Sequence, residues 1–387
     1  MSEASPMTQA ELKALVDATN GHLRNKSKNT IVGDAPGKPR FELYHADPSL
    51  CSHKVRSVMA EKGVTYFSHA MNIMPAGNFV PQNYRPEYVR LRLKGSPGGG
   101  FVSGYTGASS VEREGFDPCV VPTLVDHEAA KVIVDSRAIC EYVNREAGTG
   151  EDLVPAGLES VIDEQIRLVD DAPHVASLYG AHPDEDRRPM GLRKNIAGIH
   201  AKKIRVLTAM MEQSADDPEL LAAYRAKVSK EAAAGAFMID DDGMRETHRK
   251  MAAHVDALES QLQSHSGAWV CGDQYTMADI MWTTSLWRMK WLGFGRLWEG
   301  KAERARLTEY LERAFVRPSV RSAVVNWPGA HAPSPHVKEH SGPGFALNFF
   351  WHMARGTDWQ EVFFGDPKIK LPPLEPLPTA VTSTASH

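Results

Sequence analysis

The chain has 387 residues, more than one compact core usually needs, so we expect two domains with added segments at the ends. With 42% hydrophobic and 24% charged residues, its composition is that of an ordinary globular protein. The net charge is −4 and Lys and Arg are scattered, which argues against binding to nucleic acids. No stretch is long and apolar enough to cross a membrane, and Met1–Ala10 lacks the apolar centre of a signal peptide. Four cysteines in so long a chain do not form a disulfide framework, so we expect a cytoplasmic protein with no membrane partner.

The first part of the chain predicts a small α/β domain. Residues 1–38 are polar and are interpreted as an N-terminal extension with one short helix over 9–18. Alternating and helical patterns then predict a strand, a helix and a second strand, over 41–45, 52–62 and 64–73.

The next segment, 78–115, has no strong periodicity and contains a glycine-rich loop at 95–100. After it, two short apolar runs over 120–125 and 131–134 predict a hairpin. Ser136 is expected to cap a helix that ends near Glu146, and Gly148–Gly150 is expected to close the first domain.

The second half of the chain predicts helices only. Helical spacing is clear over 158–169 and 244–262, and the segment 276–291 is apolar on most sides, as expected for a buried central helix. Beyond Trp327 the chain is rich in Pro, His and aromatic residues, which predicts either a lid or an extended strap. The predicted units are the extension (1–38), the α/β domain (39–150), the helical domain (151–330) and the C-terminal tail (331–387).

Cys51 is the first candidate for chemistry. It stands between a predicted strand and helix, where unpaired N–H groups and the positive end of the helix dipole lower the pKa of a thiol and favour a thiolate nucleophile. Ser49 can direct a hydroxyl at the same spot, and His53 and Lys54 add positive or titratable character. A buried cysteine without function is an equally good interpretation of the spacing alone. The other three cysteines lie in apolar surroundings and are expected to be structural.

Two more features favour a bound peptide-like ligand. Pro122 opens a predicted internal strand, which suggests a cis bond after Val121 and a Val121 backbone able to pair with an extended ligand. Asp135 and Ser136 stand at a helix N-terminus that can hold a carboxylate. An ordinary edge-strand proline and a capping serine are the structural alternatives.

Other motifs predict folding rather than chemistry. Thr276 and Asp279 fit a capping box at the start of the central helix. No metal site is predicted, because H-E-x-x-H is absent and the tail histidines His331, His336 and His340 are expected to be exposed. The glycine-rich loop lacks the Lys-Ser/Thr of a phosphate-binding loop.

The order of these features resembles the glutathione transferase family: a strand, S-x-C, a helix, V-P-T-L, D-S-x-A-I, and then helices with a T-x-A-D box. The resemblance covers roughly 39–327. It implies an α/β thioredoxin-like N-terminal domain followed by an all-α domain, glutathione as cofactor, a small aromatic substrate and a homodimer. Within the family, the segment Ser49–Arg56 is similar to the active site of the glutathione-dependent reductive dehalogenases of chlorinated hydroquinones.

The resemblance also implies residue roles. Val121, next to Pro122, pairs with the cysteinyl part of glutathione, and Asp135 and Ser136 hold its γ-glutamyl end. Ser49 stabilises the glutathione thiolate. Cys51 attacks the sulfur of a glutathionyl–hydroquinone conjugate and becomes a mixed disulfide. Periodicity places three helix residues, Trp282, Leu286 and Met289, together with tail aromatics at the wall of the aromatic pocket, but core packing is the preferred interpretation for each of the three.

Two alternatives remain open from the sequence. A β-aryl etherase would use the same glutathione site but would need no protein nucleophile, so Cys51 would be a bystander. A non-catalytic glutathione-binding or ligand-binding module would retain the fold without turnover.

Overall fold

The protein is described from a computed structural model that covers residues 7–23, 28–34, 36–108, 111–196 and 198–377. The described strands form one mixed sheet in the order β1–β3–β2–β4–β5. Strand β2 is parallel to β3 and antiparallel to β4, and β1 and β5 are antiparallel to their neighbours. The strands are β1 (Asn29–Val32), β2 (Phe41–His45), β3 (Tyr66–Ala70), β4 (Thr123–Asp126) and β5 (Lys131–Val134).

Helices cover both faces of this sheet. Helix α2 (Leu50–Glu61) follows β2 and packs against α5 (Ser136–Glu146). Because the sheet is covered on both sides, every residue of β2 is buried, including Glu42. Glu42 is satisfied by hydrogen bonds with His69 at 2.6 Å and His127 at 2.8 Å. These bonds hold the pKa of Glu42 well below its usual range although burial raises it.

The predicted N-terminal extension adds to the α/β domain. Helix α1 (Gln9–His22) begins with a capping box between Thr8 and Glu11 and runs four residues beyond its predicted end at residue 18. It packs against α3 (Pro86–Leu93). Strand β1, which the sequence did not predict, pairs with β3 at the edge of the sheet. The boundary at residue 38 stays a prediction, but part of the sheet precedes it.

Two helices lie in the segment that showed no periodicity, α3 (Pro86–Leu93) and α4 (Val111–Glu114). Helix α3 begins at Pro86, whose missing N–H costs nothing at a first helical position. Most of its remaining residues are buried, including Arg92, whose charge interrupts the apolar pattern by which an amphipathic helix is recognised.

The second domain is helical throughout its described residues. Helix α12 is buried on nearly all sides and packs against α6 and α2, while α9 and α10 form a long hairpin. This hairpin contributes to the core on the α3 side of the sheet, where the Tyr224 hydroxyl donates to the Tyr84 carbonyl at 2.8 Å. The helices are α6 (Glu159–Asp171), α7 (His174–Tyr179), α8 (Met190–Ile196), α9 (Ile199–Gln213), α10 (Pro218–Phe237), α11 (Asp241–Gln263), α12 (Met277–Trp291), α13 (Ala305–Val316) and α14 (Pro318–Val320), followed by a π-helical turn (Arg321–Val325).

The C-terminal tail forms α15 (Pro343–Arg355) and α16 (Trp359–Phe364) and then runs as a strap that contacts both the first domain and the helical domain. Arg85 forms ion pairs with Glu361 and with Asp366, and its guanidinium lies 2.6 Å from the Asp366 carboxylate. Arg205 of the helical domain donates a hydrogen bond to the Pro372 carbonyl at 2.5 Å. Within the described ranges, no helix has both the length and the apolar character needed to span a membrane.

The loop between β2 and α2 is joined to both ends of the chain at Asp47, which we call the Asp47 junction. Lys28 Nζ lies 2.8 Å from one carboxylate oxygen, and Trp327 Nε1 donates to the other at 2.8 Å. His352 of α15 contacts the same carboxylate at 3.3 Å. The carboxylate is buried, so these partners replace the water that it lacks.

Candidate active site

Helix α2 presents Cys51 to the surface and buries its neighbours. From Leu50 to Met59 every residue is buried except Cys51, which is half-buried. Cys51 is the second residue of the helix, so it lies in the turn whose N–H groups are unpaired. The predicted position of Cys51 at a strand-to-helix junction is therefore confirmed.

Ser49 is the N-cap of this helix. Its Oγ accepts a hydrogen bond from the Ser52 backbone N–H at 3.3 Å. Because the oxygen acts as the acceptor, the hydroxyl hydrogen of Ser49 can still be donated to another group. Ser49 is half-buried like Cys51, which lies two residues further along the same helix start.

The other cysteines are unsuited to nucleophilic chemistry. Cys119, Cys140 and Cys271 are buried. Burial raises the pKa of Cys119 and Cys140 well above the usual range and that of Cys271 to about 12. These three thiols stay protonated near neutral pH, which agrees with the structural role expected for them.

Two side chains of α2 were predicted to add positive or titratable character near Cys51. Lys54 does act on the Cys51 thiol, although it is buried and paired with Asp170 at 2.7 Å. His53 is buried, with Nε2 2.9 Å from the Asp47 carbonyl, and burial together with the Arg56 and Arg288 charges lowers its pKa well below the usual range. The lowered pKa favours neutral His53, so of the two predicted side chains Lys54 supplies the positive charge.

The peptide bond between Val121 and Pro122 is cis, as predicted. Thr123 pairs with Tyr44, so Val121 lies past the end of the β2–β4 ladder, toward the loop that leads to α2. The Val120 carbonyl accepts from Tyr88 and the Pro122 carbonyl from Arg92, whereas no described residue pairs with the backbone of Val121. This open backbone fits an extended peptide such as glutathione.

Asp135, not Ser136, is the N-cap of α5. Its carboxylate accepts from the backbone N–H of Arg137 at 2.8 Å and of Ala138 at 3.3 Å, and its φ of 73° lies in the left-handed region. Ser136 is instead the first residue of the helix and is buried. The predicted serine cap is wrong because Asp offers the stronger, charged acceptor to the same N–H groups.

Asp135 and Asp170 form a negative pair near Lys54. Burial and the Asp170 charge raise the pKa of Asp135, and Lys54 acts in the opposite direction. Two carboxylates around one ammonium leave an excess negative charge, which suits the cationic amino group of a γ-glutamyl residue. The sequence did not indicate Asp170, because it ends an amphipathic helix where an acidic pair is ordinary.

The three predicted wall residues do not line a pocket. Trp282, Leu286 and Met289 are completely buried in the core of the helical domain. Trp282 stacks on His254 at 4.1 Å and donates to Gln165 at 3.0 Å. The apolar pattern of α12 reflects packing on all sides.

The tail lies close to α2 at a group of aromatic rings. The ring centroids of His53 and His331 are 5.0 Å apart. His331 stacks on His340 with a centroid distance of 5.4 Å, and His340 stacks on Phe345 of α15 with a centroid distance of 4.5 Å. His331 and His340 are buried, so the expectation that both are exposed is wrong. Among the described residues, no group of three or more His, Cys, Asp or Glu side chains is arranged to hold a metal ion.

Comparison with known proteins identifies the family to which the chain belongs. The sequence matches the family models of the glutathione S-transferase N-terminal domain over 48–146 and C-terminal domain over 241–313. It is 44% identical over 314 residues to 2,5-dichlorohydroquinone reductive dechlorinase of Sphingobium indicum, covering 81% of this chain and 90% of that protein. The chain belongs to the glutathione S-transferase family.

Tetrachloro-p-hydroquinone reductive dehalogenase of Sphingobium chlorophenolicum is 27% identical over 295 residues, covering 75% of this chain and 99% of that protein. A solved apo structure of glutathione S-transferase III shares 16% identity with a TM-score of 0.45, covering 74% of this chain and 97% of that one.

Membership confirms three predictions at once. The architecture is that of the family, a thioredoxin-like mixed sheet followed by a helical domain. The protein is an enzyme of the glutathione S-transferase family, and glutathione is the thiol that it uses. The roles of Cys51, Ser49, Val121, Pro122, Asp135 and Ser136 remain predictions.

Proposed function

We propose that the protein is a glutathione-dependent reductive dehalogenase of chlorinated hydroquinones. The observation that carries this proposal is Cys51, which is the half-exposed cysteine at a helix N-terminus while the three other cysteines are buried. The 44% identity to a relative named for reductive dechlorination of 2,5-dichlorohydroquinone supports the substrate class.

Glutathione is proposed to bind along the opening between β4, α2 and α5. The open Val121 backbone beside cis Pro122 pairs with its cysteinyl residue. The N-terminus of α5 at Ser136 receives the α-carboxylate of its γ-glutamyl residue, and Asp135 the amino group. Ser49 donates its hydroxyl hydrogen to the glutathione sulfur, which favours the thiolate.

The first half of the proposed reaction replaces chlorine by sulfur. The glutathione thiolate forms a bond to the ring carbon that carries chlorine, in a keto tautomer of the hydroquinone, and the C–Cl electron pair leaves with chloride. The product is a glutathionyl–hydroquinone conjugate.

The second half removes the sulfur and reduces the ring. The Cys51 thiolate attacks the sulfur of the conjugate, forming an S–S bond, while the C–S electron pair passes to the ring carbon, which takes up a proton. A second glutathione thiolate then attacks the mixed disulfide and releases Cys51 as a thiolate. In sum, one C–Cl bond becomes a C–H bond, and two glutathione molecules become glutathione disulfide with release of HCl.

The test is Cys51→Ser with 2,5-dichlorohydroquinone and glutathione. We expect chloride release in the first turnover but accumulation of the conjugate, detected by mass spectrometry, because serine cannot form the disulfide. Cys271→Ser is the matched control, since it changes a buried thiol, and should form the dechlorinated product at the unaltered rate.

Unaltered product formation by Cys51→Ser would contradict the proposal. A β-aryl ether assayed in parallel distinguishes the alternative. Phenol release from this ether that does not require Cys51, with no chloride release from the hydroquinone, would support an etherase instead. Binding to glutathione resin without turnover of either compound would support a binding module.

A further inference from the structure

A buried arginine of the helical domain lies at the loop ahead of Cys51. Arg288 of α12 is 3% exposed and donates a hydrogen bond from its guanidinium to the Pro48 carbonyl. Its Nε has no hydrogen-bond partner in the part of the chain that the structure describes, and the Trp291 ring lies 5.5 Å from its central carbon. No described carboxylate lies within ion-pair distance of Arg288. A buried guanidinium normally has such a partner.

The titratable groups that face Arg288 are held neutral or are paired elsewhere. His53 of α2, His174 of α7 and His331 after α14 are buried, and burial together with nearby positive charges, including Arg288, lowers the pKa of each well below the usual range. Lys54 of α2 is a second cation that acts on Cys51, but its charge is already paired with Asp170 at 2.7 Å.

Two acids act on Arg288, the Tyr179 hydroxyl and the Cys51 thiol. Burial lowers the pKa of Arg288 to about 10, and Tyr179 and Cys51 act against this decrease. Of these two acids, Cys51 belongs to the helix whose preceding loop Arg288 contacts at Pro48. The position of Arg288 therefore points to Cys51 as its anionic partner.

We propose that Arg288 is a positioning residue that serves as the counter-ion of the Cys51 thiolate. Its bond to the Pro48 carbonyl fixes the loop that precedes Ser49 and Cys51, and its charge becomes compensated when the thiol ionises. The proposal deepens the proposed function, on which it rests, by naming the residue that keeps the nucleophile ionised.

The counter-ion acts twice in the reaction sequence. It favours the thiolate that attacks the sulfur of the conjugate. It also stabilises the thiolate that Cys51 becomes when the second glutathione opens the mixed disulfide, because a better-stabilised thiolate is a better leaving group.

The test follows labelling of Cys51 by iodoacetamide between pH 5 and 10, with the labelled peptide quantified by mass spectrometry. Arg288→Gln retains a donor for the Pro48 carbonyl but removes the charge. We expect the midpoint of the pH dependence to rise by about one unit, and labelling below that midpoint to slow about tenfold. Arg288→Lys restores the charge and should recover at least half of this shift.

Arg56→Met is the matched control. Arg56 is a buried arginine of α2 that donates to the Ala46 and Asp47 carbonyls of the same loop. Its loss should lower the melting temperature and leave the labelling midpoint within about 0.3 units of the wild type. If Arg288→Gln does not fold, Arg288→Met supplies the uncharged variant.

A midpoint that is unchanged in a folded, uncharged Arg288 variant would overturn the proposal. An equal shift in Arg56→Met would do the same, because the effect would then not be specific to the charge of Arg288. The labelling uses no aromatic substrate. Failure of the dehalogenase assay would therefore overturn the proposed function while this measurement still decides the role of Arg288.

Discussion

Lys28→Met tests how much free energy the Asp47 junction contributes to the fold. Lys28 and Asp47 lie 2.8 Å apart with side chains only 6% and 4% exposed. Methionine retains most of the lysine volume but removes the ammonium. The carboxylate is then left in a buried place with two donors, Trp327 and His352.

The expected size of the loss follows from these partners. Removing one member of a buried ion pair costs about 3–5 kcal/mol when the other charge is left uncompensated. The two remaining donors keep part of the carboxylate satisfied, since a hydrogen bond to a charged group contributes about 1.5–3 kcal/mol. We therefore expect the lower end of the range, a decrease of about 3 kcal/mol in the free energy of unfolding at pH 7.

The loss also depends on pH. Burial raises the pKa of Asp47, but the His352 hydrogen bond and the Lys28 charge hold it well below the usual range. A carboxyl group whose folded pKa lies below its unfolded value stabilises the fold above that value, about pH 4, and this contribution is lost as the pH falls. The difference between wild type and Lys28→Met should accordingly be greatest near pH 7 and decrease toward acid pH.

Urea unfolding followed by tryptophan fluorescence and circular dichroism measures both effects. The double variant Lys28→Met/Asp47→Asn should recover at least half of the loss, because it removes the uncompensated charge. A loss below about 1 kcal/mol at pH 7, or a double variant no more stable than the single one, would refute the reasoning.

Two further predictions concern glutathione binding and the second domain. Asp170→Asn removes one carboxylate near Asp135 and should weaken glutathione binding, measured by calorimetry, about tenfold, with Glu159→Gln of the same helix as control. Unaltered affinity would exclude a role of Asp170 in the site. Thr276→Ala removes the capping box of α12 and should lower the free energy of unfolding by about 1 kcal/mol, whereas Thr276→Ser should retain most of it. Equal losses in the two variants would show that the hydroxyl is not the stabilising group.

The sequence predicted those parts of the site that adjoin a recognisable local pattern. Cys51 follows a strand and opens a helix, and Pro122 stands where a strand should donate a hydrogen bond. Both are local facts of the backbone, so the chain alone could indicate them. The capping box of Thr276 and Asp279 is local in the same sense and is present in the structure.

Residues that reach the site from elsewhere in the fold left no such pattern. Arg288 lies on a helix that is buried on all sides, and its contact with Pro48 joins residues 240 positions apart. Helix α3 was not predicted for a related reason, because it buries the charged residue Arg92 among its apolar ones. The three residues of α12 could be assigned to a pocket wall or to the core, because periodicity alone does not distinguish the two.

The Asp47 junction also sets an order of events during synthesis. Lys28 leaves the ribosome before Asp47, but Trp327 and His352 follow 280 and 305 residues later. At ordinary rates of translation this interval lasts about 15–60 s. The loop ahead of Cys51 therefore emerges early yet acquires its last two partners only when the chain is almost complete. Until the tail is synthesised, the loop that precedes Cys51 has only one of the three side chains that contact Asp47.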